Sequence, residues 1–215
     1  MGIIGGILMK WQDLTISDFN DQLGSKNPTP GGGTASAIAL SNAASLTGMV
    51  CELTLGSEKW QTGWNHAILV KSLCQEILES SYDFARYDSE AFDKVMDLFR
   101  LPKGTDEEIQ FRRKSIRQAT LRAAQIPFDT ACLALELLKV LSPLITDGNK
   151  NAVSDVGVAS LLASAACKGA LFNVEINLNS IPDEMGTEIR KQVPTIKDEC
   201  SKISRDIMDM VKANL

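Results

Sequence analysis

Histidine and paired cysteines are almost missing from this sequence. Of 215 residues only His66 is a histidine, and no Cys-x-x-Cys pair occurs. The five cysteines are widely spaced: Cys51, Cys74, Cys132, Cys167 and Cys200. These absences argue against a zinc site, a haem and a catalytic triad built on histidine, so no metal is expected. Scattered cysteines within apolar segments are typical of reduced, buried thiols, which favours a cytoplasmic location.

An excess of basic residues is also missing. Lys and Arg number 22 against 27 Asp and Glu, giving a net charge of −5, which argues against a nucleic-acid partner. Residues 27–51 carry no charge, but this stretch is rich in turn residues and small polar residues. A buried helix is therefore favoured over a membrane span. Residues 1–8 are read either as native or as an extension upstream of a start at Met9, and the sequence leaves both open.

Strand patterns are nearly missing, whereas apolar residues with helical spacing recur throughout. The chain is therefore predicted to be a single all-α domain over residues 1–215, an elongated bundle of long antiparallel helices. Pro127 is expected to kink or divide the fourth helix. Helices this long would leave apolar stripes exposed in a monomer, which predicts a homodimer. The first predicted helix is short and ends at Gly24. The other predicted helices span residues 34–55, 65–100, 106–141, 155–177 and 183–213.

A glycine-rich turn precedes the second predicted helix. Pro30 and the glycines Gly31, Gly32 and Gly33 are expected to form a shaped turn, with the helix beginning at Thr34. Free backbone N–H groups at a helix start attract carboxylate or phosphate, and glycine allows a ligand to approach closely. A P-loop is excluded because the Gly-Lys-Ser/Thr ending is missing. The alternative is a plain tight turn.

Polar residues cluster at two further places. Asn149 and Lys150, with Ser154 and Asp155 after them, supply amides, a cation, a hydroxyl and a carboxylate, although a simply capped helix would look the same. Asn173 and Asn177 lie one helical turn apart, and fraying before Pro182 is the alternative there. Arg113 opens a helix where the dipole disfavours a cation, which makes it a candidate for an anionic ligand.

The distance between these clusters constrains any shared site. Asp155 and Asn173 are 18 positions apart on one predicted helix. The two residues would be about 27 Å apart, since an α-helix rises about 1.5 Å per residue. This separation is too large for one site within a single chain. It predicts two sites, or one site across a dimer interface.

Several sequence blocks, taken in order, resemble the formimidoyltetrahydrofolate cyclodeaminase family. This family includes the cyclodeaminase half of formiminotransferase-cyclodeaminase and related methenyltetrahydrofolate cyclohydrolases. The resemblance covers about residues 10–213. Its blocks are residues 27–35, 88–96, 101–103, 123–127, 148–151, 154–159, 169–170 and 173–178. In this family the fold is all-α and dimeric.

What the resemblance implies is ring closure on a folate: N10 of 5-formiminotetrahydrofolate attacks the formimino carbon, ammonia leaves and 5,10-methenyltetrahydrofolate remains. The alternatives are hydrolysis of the same ring by a cyclohydrolase and, in another class, a helical dimer that binds folate without catalysis. No cofactor beyond the tetrahydrofolate substrate is expected. The expected partners are a folate with one or more glutamates, a second copy of the chain and a separate formiminotransferase.

The resemblance also nominates site residues, whose roles are hypotheses. Proton transfer falls to Asp155 first and Asp88 second, so Asp155→Asn is expected to abolish turnover while sparing folate binding. The remaining matched positions are substrate-binding candidates, with asparagine amides for the pterin and the glycine turn or a cation for the glutamate carboxylates. These candidates are Pro30, Gly31, Gly32, Gly33, Arg113, Asn149, Lys150, Ser154, Asn173 and Asn177.

Overall fold

A computed structural model describes residues 10–215, together with the backbone of residues 3–4 and 7–8. Most of residues 1–8, which the sequence left open as native or as an extension, lie outside the described residues. The two short segments pair as antiparallel strands, β1 (Ile3–Ile4) and β2 (Ile7–Leu8). The helices are α1 (Ile16–Leu23), α2 (Gly32–Leu55), α3 (Trp64–Phe99), α4 (Asp106–Lys139), α5 (Ser142–Thr146), α6 (Val153–Leu178) and α7 (Thr187–Asn214). The prediction of an all-α bundle of long helices is confirmed.

Capping residues define several of the helix ends. The Thr15 hydroxyl accepts a hydrogen bond from the Asp18 N–H, and Gly24 follows the last residue of α1. At α4, Thr105 and Glu108 form a reciprocal capping box. Each bond satisfies a backbone donor that the helix itself leaves unpaired.

Helices α2 and α6 lie at the centre of the bundle. They pack against each other, α3 covers α2, and α4 and α7 cover α6. The two central helices run antiparallel, because the start of α2 lies beside Asn173 while its end lies beside Asn149. Small residues permit this close approach: a Cβ added to Gly169 would meet the Ser36 hydroxyl at 2.5 Å. The bundle therefore has two distinct ends.

Three sequence predictions about helix boundaries are corrected by the structure. Helix α2 begins at Gly32, so two of the three glycines form its first turn rather than a preceding loop. Helix α4 continues through Pro127, which lies buried inside it, and is not divided there. The chain after α4 forms the short helix α5, which the sequence pattern did not indicate.

An apolar stripe on α6 faces outward in the single chain. Val158, Leu161, Phe172 and Ile176 are 47%, 54%, 65% and 67% exposed. By length and composition, α2 and the segment around α6 are apolar enough to cross a membrane, yet about half of each apolar window is buried within the bundle. Core helices of soluble proteins are often as long and as apolar as these two. The exposed stripe on α6 indicates that some other surface covers it, but does not show which one.

Candidate functional site

A cavity of about 400 Å³ opens at the end of the bundle where α2 begins and α6 ends. This volume lies in the range of small-molecule sites. The cavity is bounded by the turn before α2, the later part of α3, the first half of α4 and the last turns of α6. The cavity thus unites Gly31, Gly32, Gly33, Asp88, Asn173 and Asn177, six of the candidates from sequence.

The glycine turn lets α2 begin directly against a carboxyl group. Gly31 is the N-cap of α2, makes no side-chain capping bond, and follows a cis peptide bond between Thr29 and Pro30. A Cβ added at Gly33 would overlap the Asp88 carboxyl group. Pro30 itself is buried and does not line the cavity. Gly33 is therefore required by close contact with Asp88.

Asp88 is the ionisable side chain of this cavity. The Thr34 hydroxyl donates to its Oδ2 over 3.0 Å. Burial raises the pKa of the Asp88 carboxyl above its usual value, and hydrogen bonds from the hydroxyl and backbone N–H of Thr34 partly oppose that rise. Among the described residues lining the cavity, no other side chain is ionisable. A partly buried carboxyl with a raised pKa is suited to accept and return a proton.

Pro127 accounts for the position of Asn177. Proline has no N–H, so the carbonyl of Ala123, four residues earlier, has no donor from the helix at that point. The Asn177 side chain donates to this carbonyl over 2.9 Å and thereby joins α6 to α4. Asn173 is held within α6 by donation to the Gly169 carbonyl over 2.9 Å. Each side-chain amide keeps a further N–H and its carbonyl oxygen for a ligand.

An apolar wall faces these polar groups. Phe92, Val95 and Phe99 of α3 form one side of it, and Ile116 and Ile176 the other. Phe92 is 39% and Phe99 50% exposed. None of these five apolar residues was nominated for the site from the sequence, nor were Thr120 and Ser180, which also line the cavity. Their helical spacing gives the same signal as core packing, so pattern alone could not separate the two roles.

Asn149 and Lys150 lie at the opposite end of the bundle, roughly 30 Å from the glycine turn along α2. Asn149 donates to the Leu53 carbonyl over 3.1 Å and accepts from the Asn151 N–H. The Lys150 ammonium donates to the Ile145 and Thr146 carbonyls, each over 2.6 Å. These contacts fasten the turn before α6, so the structure supports the capping alternative for both residues and does not bring them to the cavity.

Ser154 and Asp155 also lie outside the cavity. Both belong to the first turn of α6, which continues unbroken from Val153 to Leu178. Asp155 and Asn173 are thus about 27 Å apart in one chain, as their spacing predicted. Within one chain Asp88 lies with the two asparagines and Asp155 does not, so two sites, or one site across a dimer interface, stays the prediction.

Arg113 occupies a separate, open depression of about 290 Å³ beside the cavity. Lys114 and Arg117 lie in the same depression, and all three side chains are exposed. Arg113 is two turns before Thr120, a cavity residue on α4, and hence about 10 Å from it along the helix. The depression is therefore a basic surface next to the cavity rather than part of it. In the portion of the chain that the structure describes, no group of three His, Cys, Asp or Glu residues could hold a metal.

Comparison with known proteins identifies the family of the chain. The sequence model described as formiminotransferase-cyclodeaminase matches residues 15–202. A methenyltetrahydrofolate cyclohydrolase from Methylorubrum extorquens is 34% identical over 209 residues, covering 94% of this chain and 97% of that protein. A formimidoyltransferase-cyclodeaminase from Gallus gallus is 29% identical over 198 residues, covering 92% of this chain but 37% of its own length.

A solved structure shows the same fold. The formiminotetrahydrofolate cyclodeaminase from Thermotoga maritima matches with a TM-score of 0.78 and 27% identity, covering 95% of this chain and 96% of that one. The resemblance read from the sequence blocks is thereby confirmed over most of the chain. The protein belongs to the formiminotransferase-cyclodeaminase family and is an enzyme of folate one-carbon chemistry.

Proposed function

We propose that the protein hydrolyses the one-carbon bridge of 5,10-methenyltetrahydrofolate to give 10-formyltetrahydrofolate. The observation that carries the proposal is a single ionisable side chain, Asp88, in the described lining of a cavity with an apolar wall. The relative of matched length, named as a methenyltetrahydrofolate cyclohydrolase, favours hydrolysis over the cyclodeamination that the sequence put first.

One carboxyl group suffices for this reaction. The methenyl bridge is a cation shared between N5 and N10, which an ionised Asp88 would attract. Water attacks the bridge carbon while the carboxylate takes one of its protons, forming a carbinolamine. The carboxyl group then protonates N5, the bond between N5 and the bridge carbon breaks, and the hydroxyl proton leaves to solvent as the formyl group forms. The sum is one water consumed and one proton released.

Cyclodeamination is the second candidate, supported by the name of the solved neighbour. Here N10 attacks the carbon of the protonated formimino group, which leaves an aminal that carries an NH2 group. Asp88 takes the N10 proton and returns it to that NH2 group, the bond between carbon and this nitrogen breaks, and ammonia leaves from the methenyl cation. The chain spans only 37% of the length of the Gallus gallus formimidoyltransferase-cyclodeaminase. A formiminotransferase as supplier of the substrate is part of this second proposal.

The cavity suggests how a folate would lie. In this proposal the tetrahydropterin ring would lie against Phe92 and Ile176, with its amide edge toward Asn173 and Asn177. The benzoylglutamate portion would extend toward Arg113 and Arg117, whose guanidinium groups pair well with carboxylates. Neither reaction needs a redox cofactor, and the reduced thiols favour the cytoplasm as its location.

Two parallel absorbance assays test the proposal. One cuvette starts from 5,10-methenyltetrahydrofolate and the other from 5-formiminotetrahydrofolate, and the methenyl absorbance is followed in both. We expect fast loss in the first cuvette with little production in the second. Fast production in the second, with ammonia released, would establish the cyclodeaminase instead. Folate binding without either reaction would leave a binding protein and refute both enzymatic candidates.

We also propose a homodimer in which the α6 stripe is covered by a second copy. The stripe is apolar and lies on the face that the single chain leaves open. Replacing Leu161 by glutamate would place a charge at the centre of that contact, so the variant is expected to sediment as a monomer while the wild type sediments as a dimer. Leu69→Glu, at a leucine of α3 that is 71% exposed, is the control for the same substitution away from the stripe. A wild-type monomer would contradict the proposal.

A further inference from the structure

Three side chains connect the N-terminal segment to the Asp88 carboxyl. The Trp11 indole N–H donates to Ser89 Oγ over 3.2 Å. Ser89 Oγ lies 3.1 Å from Thr34 Oγ1, and Thr34 donates to Asp88 Oδ2 over 3.0 Å. Ser89 is 1% exposed and Thr34 is fully buried. The series is therefore shielded from water along its central part.

The chemistry of the two ends fixes the direction of these hydrogen bonds. An indole N–H can only donate, so Ser89 Oγ accepts from Trp11. The single hydroxyl proton of Thr34 is directed to Asp88, so Thr34 Oγ1 must accept from Ser89. Every donor then points toward the carboxyl group. Aligned hydrogen bonds of this kind polarise one another, which strengthens the last of them.

We propose that Trp11, Ser89 and Thr34 form a one-way hydrogen-bond relay that positions the Asp88 carboxyl and favours its ionised form. Trp11 and Ser89 act through Thr34 and are positioning residues. The relay's role in turnover rests on the proposed function, whereas its effect on Asp88 does not. It assigns a role to the Trp11 indole N–H.

No other charge competes with the relay near Asp88 in the described structure. The cavity surfaces of α2, α4, α6 and the turn before α2 present no ionisable side chain to it. On α3, Arg86 is engaged with Asp83 and Glu90. Arg112 of α4 lies over the Phe99 ring and donates to the Phe99 carbonyl. The causes that shift the pKa of Asp88 are accordingly burial, which raises it, and Thr34, which lowers it.

The test is a titration of Asp88 by carbon-13 NMR of its carboxyl group. The resonance is identified by its absence in Asp88→Asn. Thr34→Val removes the donor while keeping the side-chain shape, and is expected to raise the pKa of Asp88 by about one pH unit. Ser89→Ala and Trp11→Phe are expected to raise it by progressively less. Thr34→Ser keeps the hydroxyl and is expected to titrate close to the wild type.

A second tryptophan supplies the matched control. Trp64 also donates its indole N–H, but to the Thr54 carbonyl at the far end of the bundle. Trp64→Phe should therefore leave the Asp88 titration unchanged. A shift in Thr34→Val with none in Trp11→Phe or Ser89→Ala would overturn the relay. Equal shifts in Trp11→Phe and Trp64→Phe would do so too, because the effect would then be general loosening.

The same variants separate the relay from the proposed function. The titration requires no turnover, so a failed absorbance assay leaves its result intact. If turnover is present, the acidic limb of the kcat/KM profile should move to higher pH in Thr34→Val by the amount seen in the titration, because the ionised carboxylate is the active form. If the pKa of Asp88 rises in Thr34→Val but the acidic limb of the kcat/KM profile does not move, Asp88 is not the base. The relay would still stand in that case.

Discussion

Replacing Asp88 by asparagine is expected to reduce kcat by about 10²- to 10⁴-fold, the usual contribution of a positioned acid or base. Asparagine has nearly the same shape but cannot take a proton from the attacking water. Binding of 5-formyltetrahydrofolate, whose one-carbon group is neutral, should change little. Steady-state kinetics and a binding isotherm measure the two effects separately. A variant with kcat near that of the wild type would contradict the assignment.

The same substitution, Asp88→Asn, is expected to keep or raise the stability of the fold while it lowers the activity. Because burial raises the pKa of Asp88 in the folded protein, the folded state holds this proton more tightly than the unfolded state. Above the folded-state pKa, the ionised carboxylate therefore costs the fold free energy, whereas below the usual carboxyl pKa it makes no difference. Asp88→Asn should thus unfold at the same or a higher temperature at neutral pH.

The other nominated carboxyl group provides a comparison. Asp155 lies about 27 Å from Asn173 within one chain. If one protomer holds a complete site, Asp155→Asn keeps turnover near the wild-type rate, contrary to the expectation from sequence. A loss as large as that of Asp88→Asn would show that a second protomer brings Asp155 to the cavity. Mixing the two inactive variants would then restore part of the activity, since a mixed dimer has one intact site.

The second large effect is expected at Gly33. A methyl group there would occupy the space of the Asp88 carboxyl, so Gly33→Ala must displace that carboxyl group, which is the proposed base. We expect kcat to fall about 100-fold or more, since small misplacements of catalytic groups have effects of this size. Steady-state kinetics give the loss, and carbon-13 titration of Asp88 shows whether its surroundings changed.

Gly48 on the same helix is the matched control for that substitution. An added Cβ at Gly48 would lie 3.9 Å from Cys74 Cβ, an ordinary contact. Gly48→Ala should keep wild-type kinetics and unfold at a slightly higher temperature, because alanine is the better helix former. Wild-type turnover in Gly33→Ala would show that Asp88 need not occupy its observed position.

The helices and their caps could be predicted from local sequence, but the site could be predicted only in part. Thr105 and Glu108 define a helix start within four residues, so no tertiary information was needed. Pro127 shows the limit: local rules predicted a kink or a division, and the helix is not divided. The side-chain amide of Asn177 on α6, 50 residues later, binds the Ala123 carbonyl that the proline leaves without a donor. The relay from Trp11 to Asp88 likewise spans three segments, and no spacing rule joins them.

The N-terminus of α2 and the Asp88 carboxyl together set the electrostatic potential in the cavity. A helix N-terminus carries about half a positive charge, and here that end points at the Asp88 carboxylate. The carboxylate therefore reverses the sign of the potential that an incoming one-carbon group would meet. With Asp88 ionised the cavity would favour a cationic bridge, and with Asp88 protonated or replaced it would lose that preference. A proton on one side chain would thus decide whether the cavity prefers a cationic folate.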